Sequence, residues 1–145
     1  MKISVSDILK KKGSEVVTIA VGSPLLEAVR VMRAHKIGAI LVTGGKGRIE
    51  GILTERDVLR AVDDHRGAMG DLKVDDLMTK NVIVALPDDD TGYLMGIMTK
   101  NRIRHIPVVT REGVAGFVSI GDLVKSKLED MEFENRMLAD YIRSG

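Results

Sequence analysis

Cysteine is absent from the 145 residues, which excludes disulfides, thiol nucleophiles and thiolate metal sites together and suits a reducing compartment. Tryptophan is absent too, and aromatics make up 3% of the chain. Only Tyr93, Phe117, Phe133 and Tyr141 could offer a base a stacking surface, too few for a single-strand nucleic-acid platform. Neither sign of charge dominates: 22 Lys and Arg against 21 Asp and Glu leave a net +1, which argues against a polyanion binder. No apolar run approaches the roughly 18 residues of a membrane span. The opening Met1-Lys2-Ile3-Ser4-Val5-Ser6-Asp7 has no apolar stretch or small-residue cleavage site of the secretory kind. The expectation is a soluble, cytoplasmic chain with neither nucleic acid nor membrane as partner.

Ile, Leu, Val, Met and Ala carry the core, and a chain of this length can bury about 70% of its unfolded surface without staples. The sequence repeats itself: segment 17–59 reappears as 82–124, at an offset of 65 or 66. Val17-Thr18-Ile19 aligns with Val82-Ile83-Val84, Lys36-Ile37 with Arg102-Ile103, Ile40-Leu41-Val42 with Ile106-Pro107-Val108, and Gly51-Ile52-Leu53-Thr54 with Gly116-Phe117-Val118-Ser119. This alignment puts one extra residue before the helix of the second copy and one fewer at its later turn. A unit of about 65 residues is small for independence, so the two copies are expected to share a core about a pseudo-twofold axis.

Each copy reads as β-α-β-β-α, an α/β (α+β) fold. β-branched runs at 16–21 and 82–86 precede helix starts signalled by Ser23-Pro24 and Pro87-Asp88. The helices that follow place Leu26, Val29, Met32 and Ile37, or Leu94, Ile97, Met98 and Ile103, largely on one face. Strands at 39–43 and 49–53, and at 106–110 and 114–118, flank Gly-containing turns and read as hairpins. A last helix begins at Glu55 or Ile120, capped by Thr54 or Ser119. The boundary falls in the Gly- and charge-rich stretch 65–72, giving domains at 5–64 and 74–127 and a C-terminal amphipathic helix at 128–145. That helix carries Val124, Leu128, Met131, Asn135, Leu138 and Ile142 at spacings of 4, 3, 4, 3 and 4, a heptad seam with one polar member. Two readings stand: it packs back on its own domain, or it pairs two chains with Asn135 setting the register.

The candidate site is the strand-to-helix corner, Thr54-Glu55-Arg56-Asp57 in one copy and Ser119-Ile120-Gly121-Asp122 in the other. A hydroxyl and a carboxylate three residues apart at a helix N-terminus suit a ribose phosphate: the acid accepts two bonds from the diol, and free amides with the positive dipole end receive the phosphate. The plain alternative is a capping box. Retention of the pair at both corners while the residues between diverge favours a ligand role.

With these corners the chain resembles a tandem pair of CBS (cystathionine-β-synthase-type) domains, a Bateman module in its small stand-alone form. The resemblance also rests on Ile103-Arg104-His105-Ile106-Pro107-Val108-Val109, on His35-Lys36-Ile37-Gly38-Ala39-Ile40, and on the lead-in segments Ser6-Asp7-Ile8-Leu9 and Asp76-Leu77-Met78-Thr79. It implies a regulatory protein, commonly a homodimer, that binds adenine nucleotides (AMP, ADP, ATP, NAD(H)-type dinucleotides or S-adenosylmethionine) in two clefts between the repeats and signals by conformational change to a regulated protein. One cleft would use Asp122 on the ribose, Ser119 near the phosphate and Gly121 for backbone access. Arg104 and His105 would supply charge there, beside Ile106 and Pro107, with the adenine against Val17, Ile37 and Gly38. The other would use Asp57, Thr54 and Arg56, with Thr79, Lys80, Asn81 and Val82 at the mouth and Ile103 behind the base. Gly38-Ala39 stands where the second copy has Arg104-His105, and Arg56 where it has Gly121, so the clefts are expected to differ in affinity or ligand.

Asp88-Asp89-Asp90 after Pro87 reads as charge complementing a helix dipole rather than a magnesium site. His35, His65 and His105 have no metal-ligand spacing, so no metal is expected and no cofactor is required. His35 reads as a solvated helix-end residue. Spacing alone sets no histidine beside Thr54 or Ser119 to activate a nucleophile, and the chain reads as a binding module rather than an enzyme. A nucleotide-acting enzyme and a purely structural dimerisation module are the rival readings.

Overall fold

The computed structural model describes residues 3–144; Met1, Lys2 and Gly145, the last residue assigned above to the tail helix, lie outside the described residues. The chain is mixed α/β and runs α1 (Val5–Lys12), β1 (Thr18–Ala20), α2 (Leu25–His35), β2 (Ala39–Thr43), β3 (Ile49–Thr54), α3 (Glu55–Asp64), α4 (Val74–Leu77), α5 (Thr91–Asn101), β4 (His105–Thr110), β5 (Gly113–Ser119) and α6 (Ile120–Ser144). Among the described residues no helix is long and apolar enough to cross a membrane. The chain divides into two compact units, Val16–Ile83 and the residues up to Glu15 together with those from Val84 on.

In the Val16–Ile83 unit, β1 lies parallel to β2 and β2 antiparallel to β3, with Ile19 opposite Val42 and Leu41 opposite Ile52. Ile19, Leu25, Ile40, Val42, Leu53 and Val74 are buried together. Ser23-Pro24 does not cap α2 through a side chain. The backbone of the segment before α4 does so instead: Leu25 N–H donates to Leu72 O (2.8 Å) and Val74 N–H to Ser23 O (3.0 Å). This pinning turns Leu25, Ala28 and Met32 toward the core and leaves Leu26 43% exposed. The buried stripe is thus displaced by one residue at its start, to Leu25 and Ala28 from Leu26 and Val29, while Met32 is buried and Ile37 packs on the core as expected, and the helix is apolar on two faces. The second face borders a groove of about 520 Å³ toward α3, floored by Val29, Met32 and Val58 with Arg33, Lys36 and Glu55 at its edge. His35, the last residue of α2, is exposed as expected.

The other unit packs α1, α5 and α6 with the β4–β5 hairpin around Val5, Leu94, Met98, Ile106, Val118 and Leu123. The strand expected at 82–86 shrinks to one parallel bridge, Ala85 with Val108. Its position is the counterpart of Ile19 opposite Val42. In the first repeat the ladder continues because Val21 N–H donates to Thr43 O (2.9 Å); the matching residue here is Pro87, which has no N–H. These pairings place the first strands at an offset of 66, not 65, and α2 and α5 keep 66 from end to end. The copies therefore differ in length only at the hairpin turn, and no extra residue precedes the second helix. Pro87-Asp88 occupies a turn in which Asp89 accepts from Leu86 N–H at 2.8 Å, so α5 starts later than expected, with Asp90 as its N-cap.

The lead-in helices α1 and α4 are counterparts. Asp7 accepts from Ser4 N–H (3.0 Å) and Asp76 from Lys73 N–H (2.8 Å), closing each first turn. Ser4 bridges Asp90, and Lys73 bridges Pro24. The first lead-in thus belongs to the unit holding the second repeat's sheet, and the second to the unit holding the first repeat's sheet. Glycine marks each seat. A Cβ on Gly116 would stand 2.6 Å from Leu9 Cδ2, and one on Gly51 would stand 2.7 Å from Met78 Sδ and 2.9 Å from Thr79 O.

Candidate functional site at the strand-to-helix corners

Both corners form where an antiparallel strand ends on a hydroxyl residue in extended conformation and the chain turns directly into a helix. Thr54 caps α3: its Oγ1 accepts from Asp57 N–H at 3.3 Å. Asp57 Oδ2 in return accepts from Thr54 N–H (2.9 Å) and Thr54 Oγ1 (3.1 Å). Arg60 Nη1 stands 3.9 Å from Asp57 Oδ1, and Asp57 is 7% exposed. In the second repeat Ser119 Oγ accepts from Asp122 N–H at 3.1 Å, and Asp122 Oδ2 from Ser119 N–H at 2.8 Å. A capping box is therefore formed at each corner, and at each the reciprocal bonds converge on Oδ2.

Hairpin register sets what surrounds each box. Ala39 is the partner of Thr54, and Glu55 N–H donates to Gly38 O (3.0 Å). Thr79 bridges Ile52 through bonds of 3.0 and 2.9 Å, which brings the segment of Lys80, Asn81 and Val82 to the same unit edge. Val17 and Ile37 are half-buried in this unit, and Arg56 is exposed. In the other unit His105 is the partner of Ser119, and Ile120 N–H donates to Arg104 O (2.8 Å). The His105 ring lies 5.7 Å from that of Phe117. Strand pairing thus brings a histidine opposite Ser119, which sequence spacing did not show; the first corner has Ala39 there. Ile103 is half-buried and Arg104 exposed, whereas Ile106, Pro107 and Ala39 are buried. Gly121 is exposed, and a Cβ there would meet Ser119 Oγ at an ordinary 3.6 Å.

Lys12 at the end of α1 was not singled out from the sequence. Its Nζ donates to Asp122 Oδ2 (2.5 Å) and to Phe117 O (2.6 Å). Burial pushes the Asp122 carboxyl up, but the Lys12 ammonium and the Ser119 N–H outweigh it and hold the group below its ordinary value. Aligning Ser4 with Lys73 makes Lys12 the counterpart of Asn81, a residue that the family resemblance implies at a cleft mouth, so carrying the repeat back into the lead-in segments would have found it. One corner thus has a cation seated on its carboxylate, and the other has an amide residue at the matching position. Among the described residues no cluster of three or more acidic or histidine side chains is arranged for a metal ion.

The CBS domain family model matches this chain at residues 5–64 and 74–129. A CBS domain-containing mitochondrial protein of Arabidopsis thaliana, CBSX3, is 35% identical over 150 residues, covering 98% of this chain and 73% of the relative. The crystal structure of the CBS-domain containing protein ATU1752 from Agrobacterium tumefaciens matches with a TM-score of 0.82 at 43% identity, over 86% of this chain and 92% of that one. The CBS domain pair of protein MJ0100, solved in complex with 5′-methylthioadenosine and S-adenosyl-L-methionine, matches with a TM-score of 0.79 at 25% identity, over 90% and 99% of the two chains.

Proposed function

This chain belongs to the CBS-domain family, as a tandem pair, and we propose that its two corners bind adenine nucleotides and that ligand occupancy regulates another protein. The observation that carries this reading is the hydroxyl-x-x-carboxylate arrangement built at both helix N-termini. Each carboxylate commits Oδ2 to the cap, and Oδ1 takes no part in it, so a ribose diol can bind without dismantling the helix start. The first-turn amides and positive helix end favour the phosphate. Arg104 and His105 supply charge beside Asp122, and Arg56 and Lys80 beside Asp57. Gly121 supports the same reading: the fold tolerates a side chain at that corner, as Arg56 shows, yet glycine leaves the backbone bare. The adenosine ligands of the MJ0100 pair point to the same ligand class.

The corners do not read as equivalent. Lys12 Nζ sits directly on Asp122 Oδ2, whereas Arg60 Nη1 stands 3.9 Å from Asp57 Oδ1, so the two corners are expected to differ in affinity or ligand. Binding is favoured over turnover because Ser119 Oγ is already an acceptor in the cap and the first corner has no histidine beside its hydroxyl. The proposed setting is a cytoplasmic homodimer, and the signal requires that nucleotide bind one conformation better than another.

Calorimetric and thermal-shift titration with AMP, ADP, ATP, NAD(H) and S-adenosylmethionine tests the proposal. A ligand at 100 times its dissociation constant stabilises the fold by about 2.7 kcal/mol. No shift with any of the five refutes the nucleotide reading, and steady product formation at saturation would move it to an enzyme.

A further inference from the structure

We propose that residues 124–142 of α6 pair, parallel and in register, with the same stretch of a second copy of this chain. The start of α6 holds to its own unit through Leu123, 1% exposed, and through Glu129, whose Oε2 lies 3.5 Å from Lys11 Nζ. The heptad seam points elsewhere. Val124, Leu128, Met131, Leu138 and Ile142 are 42, 56, 48, 58 and 69% exposed, so the helix does not fold this stripe back on its own domain. The stripe from Val124 to Ile142 on this 25-residue helix is about 27 Å long, and an uncovered apolar stripe of that length marks an interaction surface.

The sequence of the seam selects the occupant. Counting its alternating spacings of 4 and 3 puts Leu128, Asn135 and Ile142 at the a positions and Val124, Met131 and Leu138 at d. A lone Asn at a is the device that fixes register in two-stranded parallel coils. Side by side, two Asn135 amides donate to and accept from each other. A slip of one heptad sets the amide against Leu128 or Ile142, and an antiparallel pairing, which sets a against d, sets it against Met131 or Leu138; either leaves a buried amide unpaired. The flanks agree: Lys127 is at g and Glu132 is at the following e, the pair that meets across a parallel dimer with opposite charge, twice per dimer. A second copy therefore satisfies hydrophobic seam, polar register and flanking charge together.

Because the chain has no cysteine, one introduced thiol reports its own neighbour. Full-length Leu138→Cys, at d, is oxidised mildly and followed on non-reducing gels beside Phe133→Cys, on the outer f position. Seated across the seam, the two thiols of a Leu138→Cys dimer react at an effective concentration of ~mM, so the linked dimer forms at least about tenfold faster than from Phe133→Cys at micromolar chain. Equal rates for the two variants overturn the pairing. A mixture of Leu128→Cys and Leu138→Cys chains that links mainly unlike positions overturns the parallel orientation. Circular dichroism of each variant checks that the fold is intact.

Discussion

Replacing Asp122 with alanine removes two interactions whose contributions can be estimated separately. The first is its reciprocal half of the capping box, the 2.8 Å bond from Ser119 N–H; loss of a helix cap costs about 0.5–1 kcal/mol in settings of this kind. The second is the ion pair with Lys12, whose partners keep 37% and 24% of their side-chain surface exposed. That much solvent limits the pair to about 0.2–1 kcal/mol. Together the ligand-free protein is expected to lose about 1–2 kcal/mol at pH 7, or about 3–6 °C in Tm for a chain of this size. The pH dependence separates charge from shape. The folded carboxyl sits below its ordinary value, so the stability it contributes is present above the unfolded value of about 3.9 and is lost as pH falls through the folded one. Urea denaturation of wild type and Asp122→Ala at pH 7 and near pH 2.5 reads this directly. The gap in free energy narrows in acid. A gap that is absent at pH 7, or undiminished at pH 2.5, refutes the reasoning. Because the capping box alone lowers stability on mutation, a lower melting point in Asp122→Ala says nothing against a ligand role; nucleotide binding has to be titrated on the folded variant.

Gly51→Ala is expected to cost about 1–3 kcal/mol, an overpacking penalty, because its Cβ would meet the Thr79 carbonyl at 2.9 Å. Gly116→Ala meets only the tip of Leu9 and should cost less and be rescued by Leu9→Ala; equal costs in urea melts would contradict this. Lys12→Met is expected to weaken AMP binding by about five- to tenfold, roughly 1–1.4 kcal/mol, while leaving adenosine binding nearly unchanged, since it bares Asp122 to a phosphate. Calorimetry showing equal losses for both would remove Lys12 from the phosphate side. Asn135→Val is expected to raise thermal stability of the tail while broadening the range of oligomers in sedimentation; an unchanged single species would contradict its register role.

Much of the arrangement was legible because local chemistry decides it. Thr54 and Ser119 announce their helix starts through hydroxyl and acid alone, and the Gly-bearing turns after Thr43 and Thr110 close both hairpins. Misreadings came where a distant segment decides. The buried face of α2 is set by Leu72 accepting from Leu25 N–H and Val74 donating to Ser23 O just ahead of the helix, so periodicity on its own chose Leu26 over Leu25. The strand before α5 fails at one missing N–H on Pro87, a loss invisible until its partner Val109 is known. The insertion ahead of α5 followed from aligning Val17 with Val82, when hydrogen bonding aligns Ile19 with Ala85. Lys12 reaches a site 110 residues away that no local pattern contains.

The exchange of lead-in helices orders events during synthesis. The unit Val16–Ile83 is one continuous stretch, free to close as soon as Ile83 leaves the ribosome. The helix α1 emerges first but packs with β5 and α6, and Lys12 bonds to Phe117 and Asp122 across 105 and 110 positions. At ordinary elongation rates of about 5–20 residues per second the earliest-made segment waits several seconds or more for its seat. Val5 and Ile8 are then apolar side chains with no core to enter, while the middle of the chain is already folded. A ribosome stalled after Ile83 would display one finished unit and one orphan helix, whose contacts to Phe117, Asp122 and Glu129 close only after the second hairpin is made.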